Sequence, residues 1–368
     1  MKYKKVKLGE VCTYQKKSSI KAGDGENNGI YPFFTSSTTQ SKFLDSFQFE
    51  EEGLIFGTGG KASVHFCNTK FSVSTDCVVL KEKKPETVFL RYVYYVVLGN
   101  MDVLESGFKG AGLKHVSKDY ISNLEIPLPD LPTQRHIAEV LDKADALRQQ
   151  NRQLLAFYDQ LLQSTFIELF GDPVKNPKGW EVKKLGEVSD ARLGKMLDSK
   201  KQTGLSKFKY LGNSNVLWGK FKLDDLMEMD FTEKERQEVS LKKGDLLICE
   251  GGEVGRCAIW KEELEDCYFQ KAIHRVRLHL NIIIPDYLQF LMWFYAKNGG
   301  LKDFVTVSTI AHLTGVKLKS LPIPVPPLPL QAHFAEVVAQ IEVQKAQVGR
   351  SLAESEALFE GLLAGYFG

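Results

Sequence analysis

The chain has 368 residues, 43% of them hydrophobic and 26% charged, which suits two or three globular domains with cores of their own. A net charge of only +2, from 48 basic and 46 acidic residues, argues against a generic polyanion binder, and no apolar run reaches the ~18–20 residues needed to span a bilayer. Six cysteines, at 12, 67, 77, 249, 257 and 267, show neither CxxC spacing nor histidines to complete a zinc set, so the expectation is reduced thiols, a cytoplasmic setting and no metal.

The N-terminus, Met1-Lys2-Tyr3-Lys4-Lys5-Val6, is basic but has no apolar stretch behind it, so it does not read as a secretory signal. It runs into Leu8-Gly9-Glu10-Val11. Polar loops follow, then Gly53-Leu54-Ile55-Phe56-Gly57-Thr58-Gly59-Gly60, a short strand entering a glycine-rich turn. Residues 72–80 are enriched in β-branched side chains and read as a strand, and a short helix is expected over 88–99. The strip 126–132 is punctuated by prolines, which favour extended backbone, and Pro132 suits a first helical turn. From Thr133 to Phe170 neither Gly nor Pro recurs, and Ile137, Val140/Leu141, Ala144, Leu147, Leu154/Leu155, Tyr158, Leu161/Leu162, Phe166 and Leu169 keep heptad spacing.

The same order then returns. Leu185-Gly186-Glu187-Val188 repeats Leu8 to Val11 at an offset of 177. Gly244 to Gly252 resembles Gly53 to Gly60, residues 272–278 read as a strand, and a short helix is expected over 285–297. Ala311-His312-Leu313-Thr314 repeats Lys114-His115-Val116-Ser117 at 197, a shared position that suggests a structural role for both histidines. The offset stays 197 through the proline strip 323–329, Gln134/Gln331 and the closing Phe170-Gly171/Phe367-Gly368, so the second copy carries its 20 extra residues in the β-rich part and none in the helix.

A stripe sustained over ~4–5 heptads, on a helix of ~37 residues and about 55 Å, is too long to be buried by its own small domain. Pairing the two helices buries both, and a two-fold repeat makes that pairing antiparallel. Asn151 in the first seam, and Gln344 and Ser355 in the second, either fix register as polar seam residues or face solvent at the helix edges. The fold expected is α+β: a tandem duplication of an irregular β-rich domain plus a long helix, the helices packed as an antiparallel coiled coil. The divisions are 1–132, 133–171, 172–329 and 330–368.

Paired variable domains, each opened by aromatic-x-x-x-x-Leu-Gly-Glu-Val, closed by Ile-Pro-x-Pro-x-Leu-Pro-x-Gln and followed by an Ala-Glu-Val helix, resemble the specificity (S) subunit of type I restriction–modification systems. The resemblance covers nearly the whole chain. It implies two target-recognition domains, 1–132 and 172–329, each reading half of a split double-stranded DNA site, and two spacer helices, 133–171 and 330–368, that set the gap. It implies adenine methylation by a methyltransferase (M) subunit in two copies, which binds the S-adenosylmethionine, and cleavage by a restriction/translocase (R) subunit. No catalytic residue and no cofactor are expected in this chain. A trailing segment found in longer members is expected to be absent after Gly368.

Other motifs fail on inspection. Ile55 to Gly60 looks like a methyl-donor loop but leads into strand-like sequence instead of a helix, and Ile55 stands where a P-loop needs glycine. No Asn/Asp-Pro-Pro-aromatic tetrad occurs. The residue types that contact phosphates and base edges, placed in polar loops, make Lys16, Lys17, Lys21, Ser36, Thr38, Lys42, Thr58, Lys61, Lys109 and Lys114 the DNA-binding candidates of the first domain. Those of the second are Arg192, Lys195, Lys200, Lys201, Asn213, Asn215, Arg256, Gln270, Lys271 and Arg275. A stand-alone regulator of a bipartite operator is the alternative function.

Overall fold

The computed structural model describes residues 3–198, 202–307 and 311–368. The chain divides into one unit of residues 1–154 with 348–368 and a second of residues 155–347. Each unit therefore holds one β-rich domain, part of the helix that follows it and part of the other long helix.

In the first unit the apolar run Gly53–Gly57 is wholly buried, as a strand covered on both faces must be. It lies inside a four-stranded antiparallel sheet ordered Cys12–Tyr14, Cys77–Glu82, Gly53–Gly57, Ser63–Cys67. Tyr31–Phe34 pairs antiparallel with Lys42–Leu44 and parallel with Ser72–Val73. Lys5–Lys7 pairs with Glu125–Pro127, joining the domain's first and last segments.

The second unit repeats these pairings one for one. Its four-stranded sheet is ordered Ser189–Leu193, Ile273–Leu278, Leu246–Cys249, Cys257–Ile259. Lys207–Leu211 pairs antiparallel with Met227–Asp230 and parallel with Tyr268–Phe269, the counterpart of Ser72–Val73. Glu181–Lys184 pairs with Pro322–Val325 as the closing ribbon.

The registers show where the second copy grew. Phe33 faces Lys42 as Tyr210 faces Met227, and the hairpin Val216–Leu217/Lys220–Phe221 fills the added length between those strands. The helix Glu233–Glu238, closed by a Thr232–Glu235 capping box, lies in the longer connection to Leu246–Cys249.

The proline–glutamine junction has the same construction in both units. Gln134 is fully buried; its amide donates to the carbonyls of Pro129 (2.8 Å) and Thr87 (2.9 Å) and accepts from the N–H of Phe89 (2.8 Å). Gln331 does the same with Pro326 (2.7 Å), Ile282 (3.1 Å) and the N–H of Ile284 (2.8 Å). Each glutamine satisfies one carbonyl of its proline-rich strip and two backbone groups of the segment leading into a short helix, Leu90–Leu98 or Pro285–Lys297, which explains its fixed place after the prolines.

The long helices are Leu131–Phe170 and Leu328–Phe367. In the first unit the Arg148 guanidinium lies 3.9 Å from the Phe359 ring centroid, Asn151 donates to Ser355 (3.3 Å) and Arg152 pairs with Glu356 (2.5 Å). In the second, Lys345 meets Asp159 (2.9 Å) and Phe166 meets Phe334 (5.5 Å between centroids). Within each unit the partner's number falls along the first helix, from Phe359 to Ser355 and from Lys345 to Phe334, so the pairing is antiparallel. Asn151 and Ser355 are seam partners of each other, whereas Gln344 is exposed. The apolar stripe is also wider than the seam. Leu147 and Leu154 in the first unit, and Phe157, Leu161 and Ile167 in the second, remain exposed.

All six cysteines are free and buried. Burial pushes the Cys12 and Cys267 thiols up to about 12 and those of Cys77 and Cys249 up to about 11. All six are also shielded from solvent, so iodoacetamide at neutral pH should label none of them in the native chain and all of them in urea, as read by intact mass. Rapid native labelling would contradict this burial.

Candidate nucleic-acid interface

Three segments converge at the same place in each domain. In the first, the Ser36 hydroxyl donates to the Asp76 carbonyl (2.7 Å) and accepts from the N–H of Gly59 (3.4 Å). The Thr58 hydroxyl donates to the same Asp76 carbonyl (2.9 Å). The third segment is a hairpin: Lys109 and His115 exchange backbone hydrogen bonds of 2.9 Å, and the N–H of Gly60 bonds to the Lys114 carbonyl (3.0 Å). Ser36, Thr58, Lys109 and Lys114 are thus brought together around the glycine turn, with Lys61 exposed on it.

In the second domain, Asn213 donates to the Gly251 carbonyl (3.0 Å), and Arg256 donates to the Asn213 carbonyl (2.7 Å). The Gln270 amide lies beside Gly212, and Lys271 is exposed next to it. Hydrogen bonds from Lys297 and Trp218 hold the Glu253 carboxyl below the usual range, and it pairs with Lys297 (2.8 Å) and Arg256 (3.6 Å), so this turn carries an ion-paired carboxylate where the first carries the exposed Lys61. Ser36 and Asn213 occupy equivalent posts, each reaching from a neighbouring loop to the glycine turn.

The remaining candidates are placed differently. Lys16, Lys17, Lys21 and Thr38 are exposed on loops, and Lys42 donates to Asn27 (2.9 Å). Asn215 is buried, its amide spent on Lys222, Asp225 and Gly212 backbone groups. Lys195 is tied to Glu235 and the Asp230 carbonyl (both 2.6 Å), and Arg192 to Glu238 (2.5 Å). Arg275 is buried with its guanidinium on the carbonyls of Ser240 (2.6 Å) and Glu238 (3.3 Å). Arg192, Lys195 and Arg275 are therefore engaged within the protein, by partners 35 to 46 residues away in sequence. Lys200 and Lys201 lie outside the described residues.

Among the described residues no group of three or more His, Cys, Asp or Glu could hold a metal ion, and no helix is long and apolar enough to cross a membrane.

A family model described as the type I restriction modification DNA specificity domain matches residues 1–156 and again 177–347. The type I restriction enzyme MjaVIII specificity subunit of Methanocaldococcus jannaschii is 26% identical, over 92% of this chain and 85% of its own length. The EcoKI specificity subunit of Escherichia coli K12 is 24% identical, over 84% of this chain and 71% of its own. The crystal structure of a type I restriction–modification S subunit from M. genitalium has the same fold, with a TM-score of 0.65 at 17% identity, covering 98% of this chain and 95% of that one. Matched twice in tandem by that model, and built as two copies of one domain-and-helix unit, the chain belongs to the type I restriction–modification DNA specificity family.

Proposed function

We propose that the chain recognises a bipartite double-stranded DNA target, one half-site through each of its domains, 1–132 and 172–329, and leaves the chemistry to partner subunits. The observation that carries this reading is the three-segment junction, built twice on one plan but with different polar side chains: Ser36, Thr58 and Lys61 in one copy, Asn213, Glu250 and Glu253 in the other. Like scaffolds with different polar faces suit two readers of different sequences. In this reading the helices act as a ruler holding the half-sites about one DNA turn, ~34 Å, apart. Two methyltransferase subunits bind S-adenosylmethionine and methylate adenine, and a restriction/translocase subunit cleaves. The exposed Leu147 and Leu154, and likewise Phe157, Leu161 and Ile167, offer apolar helix surface for such protein partners. Free buried thiols agree with a cytoplasmic setting.

The test is binding and methylation with purified components. The chain with its methyltransferase partner should bind duplex DNA with an affinity that falls steeply with salt and should methylate it, while the chain alone should transfer no methyl group. Methylation by the chain alone, or salt-independent binding, would overturn the reading.

A further inference from the structure

The two domains differ in most loop residues but retain one exposed contact. The hairpin that pairs Lys109 with His115 recurs as Thr306 with His312. In both, the histidine ring covers a glycine of the turn. A Cβ on Gly59 would stand 3.2 Å from the His115 ring, and one on Gly251 would stand 3.2 Å from the His312 ring. The next residue then bonds back to the turn: Val116 N–H to the Thr58 carbonyl (3.1 Å), Leu313 N–H to the Glu250 carbonyl (2.8 Å). The glycine after the covered one is left-handed in both, Gly60 at φ 82° and Gly252 at φ 72°.

Around this contact the neighbours have changed: Thr58 to Glu250, Lys61 to Glu253, Lys114 to Ala311. Core packing does not account for what is kept, because both rings are exposed and the adjacent Val116 and Leu313 fill the cores. Residues that read different bases should differ between the copies. A contact kept by both should meet what every duplex shares, the sugar–phosphate chain. A glycine turn has no side chain to hold its backbone off the sugar–phosphate chain.

We propose that His115 and His312 are positioning residues for a DNA-backbone contact that both domains make alike, each ring holding its glycine turn where the turn's backbone meets the sugar–phosphate chain whatever the base sequence. This rests on the DNA-reading function proposed above.

The test uses the full chain with its methyltransferase partner and two duplexes, one carrying the methylated motif and one with both half-sites scrambled. His115→Ala and His312→Ala should each weaken both duplexes by the same factor, roughly three- to tenfold for one lost contact, leaving their ratio unchanged. Gly59→Ala should weaken both likewise and add little on top of His115→Ala, since the two act through one contact. His115→Gln, which keeps a planar polar group over the turn, should recover part of the loss, and thermal midpoints should not move. Unchanged affinities would overturn the proposal, as would a loss confined to the motif duplex, which would make the histidines base readers. If the unsubstituted complex binds neither duplex in a salt-dependent way, the DNA-reading function itself fails.

Discussion

Replacing Phe166 with alanine is expected to destabilise the second unit by about 3–5 kcal/mol, the range for deleting a buried aromatic ring. Phe166 sits at the end of the first long helix with 1% exposure. Its ring meets Phe170 (5.0 Å between centroids), Phe334 (5.5 Å), Tyr287 (5.7 Å) and Phe290 (5.8 Å). These rings come from both long helices and from the helix Pro285–Lys297, so no single neighbour can move in to fill the space. Phe157, nine residues earlier and 55% exposed, is the control, with an expected change within about 0.5 kcal/mol for its alanine variant. Urea unfolding followed by tryptophan fluorescence reads both, since all four tryptophans, at 180, 218, 260 and 293, lie in the second unit. Equal effects at the two positions would contradict the packing described.

The second large effect is on target geometry. Removing seven residues from each long helix, at the level where Asn151 meets Ser355, keeps the heptad register of the seam. At 1.5 Å per residue this shortens the helices by about 10 Å, close to three base pairs of DNA. The ruler reading predicts a gap shorter by about that amount with both half-sites unchanged, read from the methylated motif. An unchanged gap would show that the helices do not set the spacing.

Much of this architecture is legible in the residues. The repeated Leu-Gly-Glu-Val, the Ile-Pro-x-Pro strip and Gln134/Gln331 mark the duplication because each serves the backbone locally: a helical turn tied to the Leu124 or Leu321 carbonyl, a strand of the closing ribbon, and a buried amide that bonds to the strip. The heptads of the helices are legible for the same reason. Which face of a helix meets its partner is not, so Leu147, Leu154 and Leu161 carry seam spacing yet stay exposed. The loop lysines and arginines are the hardest to place. Lys195 and Lys271 look alike as sequence, but Glu235, 40 residues on, takes the first and leaves the second exposed. Asn215 and Asn213 are two positions apart; one amide closes its own loop and the other reaches the glycine turn. Such choices depend on segments that only the fold brings together.

Methylome sequencing of cells that carry this chain with its methyltransferase partner reads both half-sites and the gap between them in one measurement. Methylated adenine is expected in one motif made of two specific half-sites at a fixed gap, with a change in one half-site alone when residues 1–132 are exchanged for those of a relative. A single contiguous motif, or an exchange that alters both half-sites, would contradict the bipartite reading.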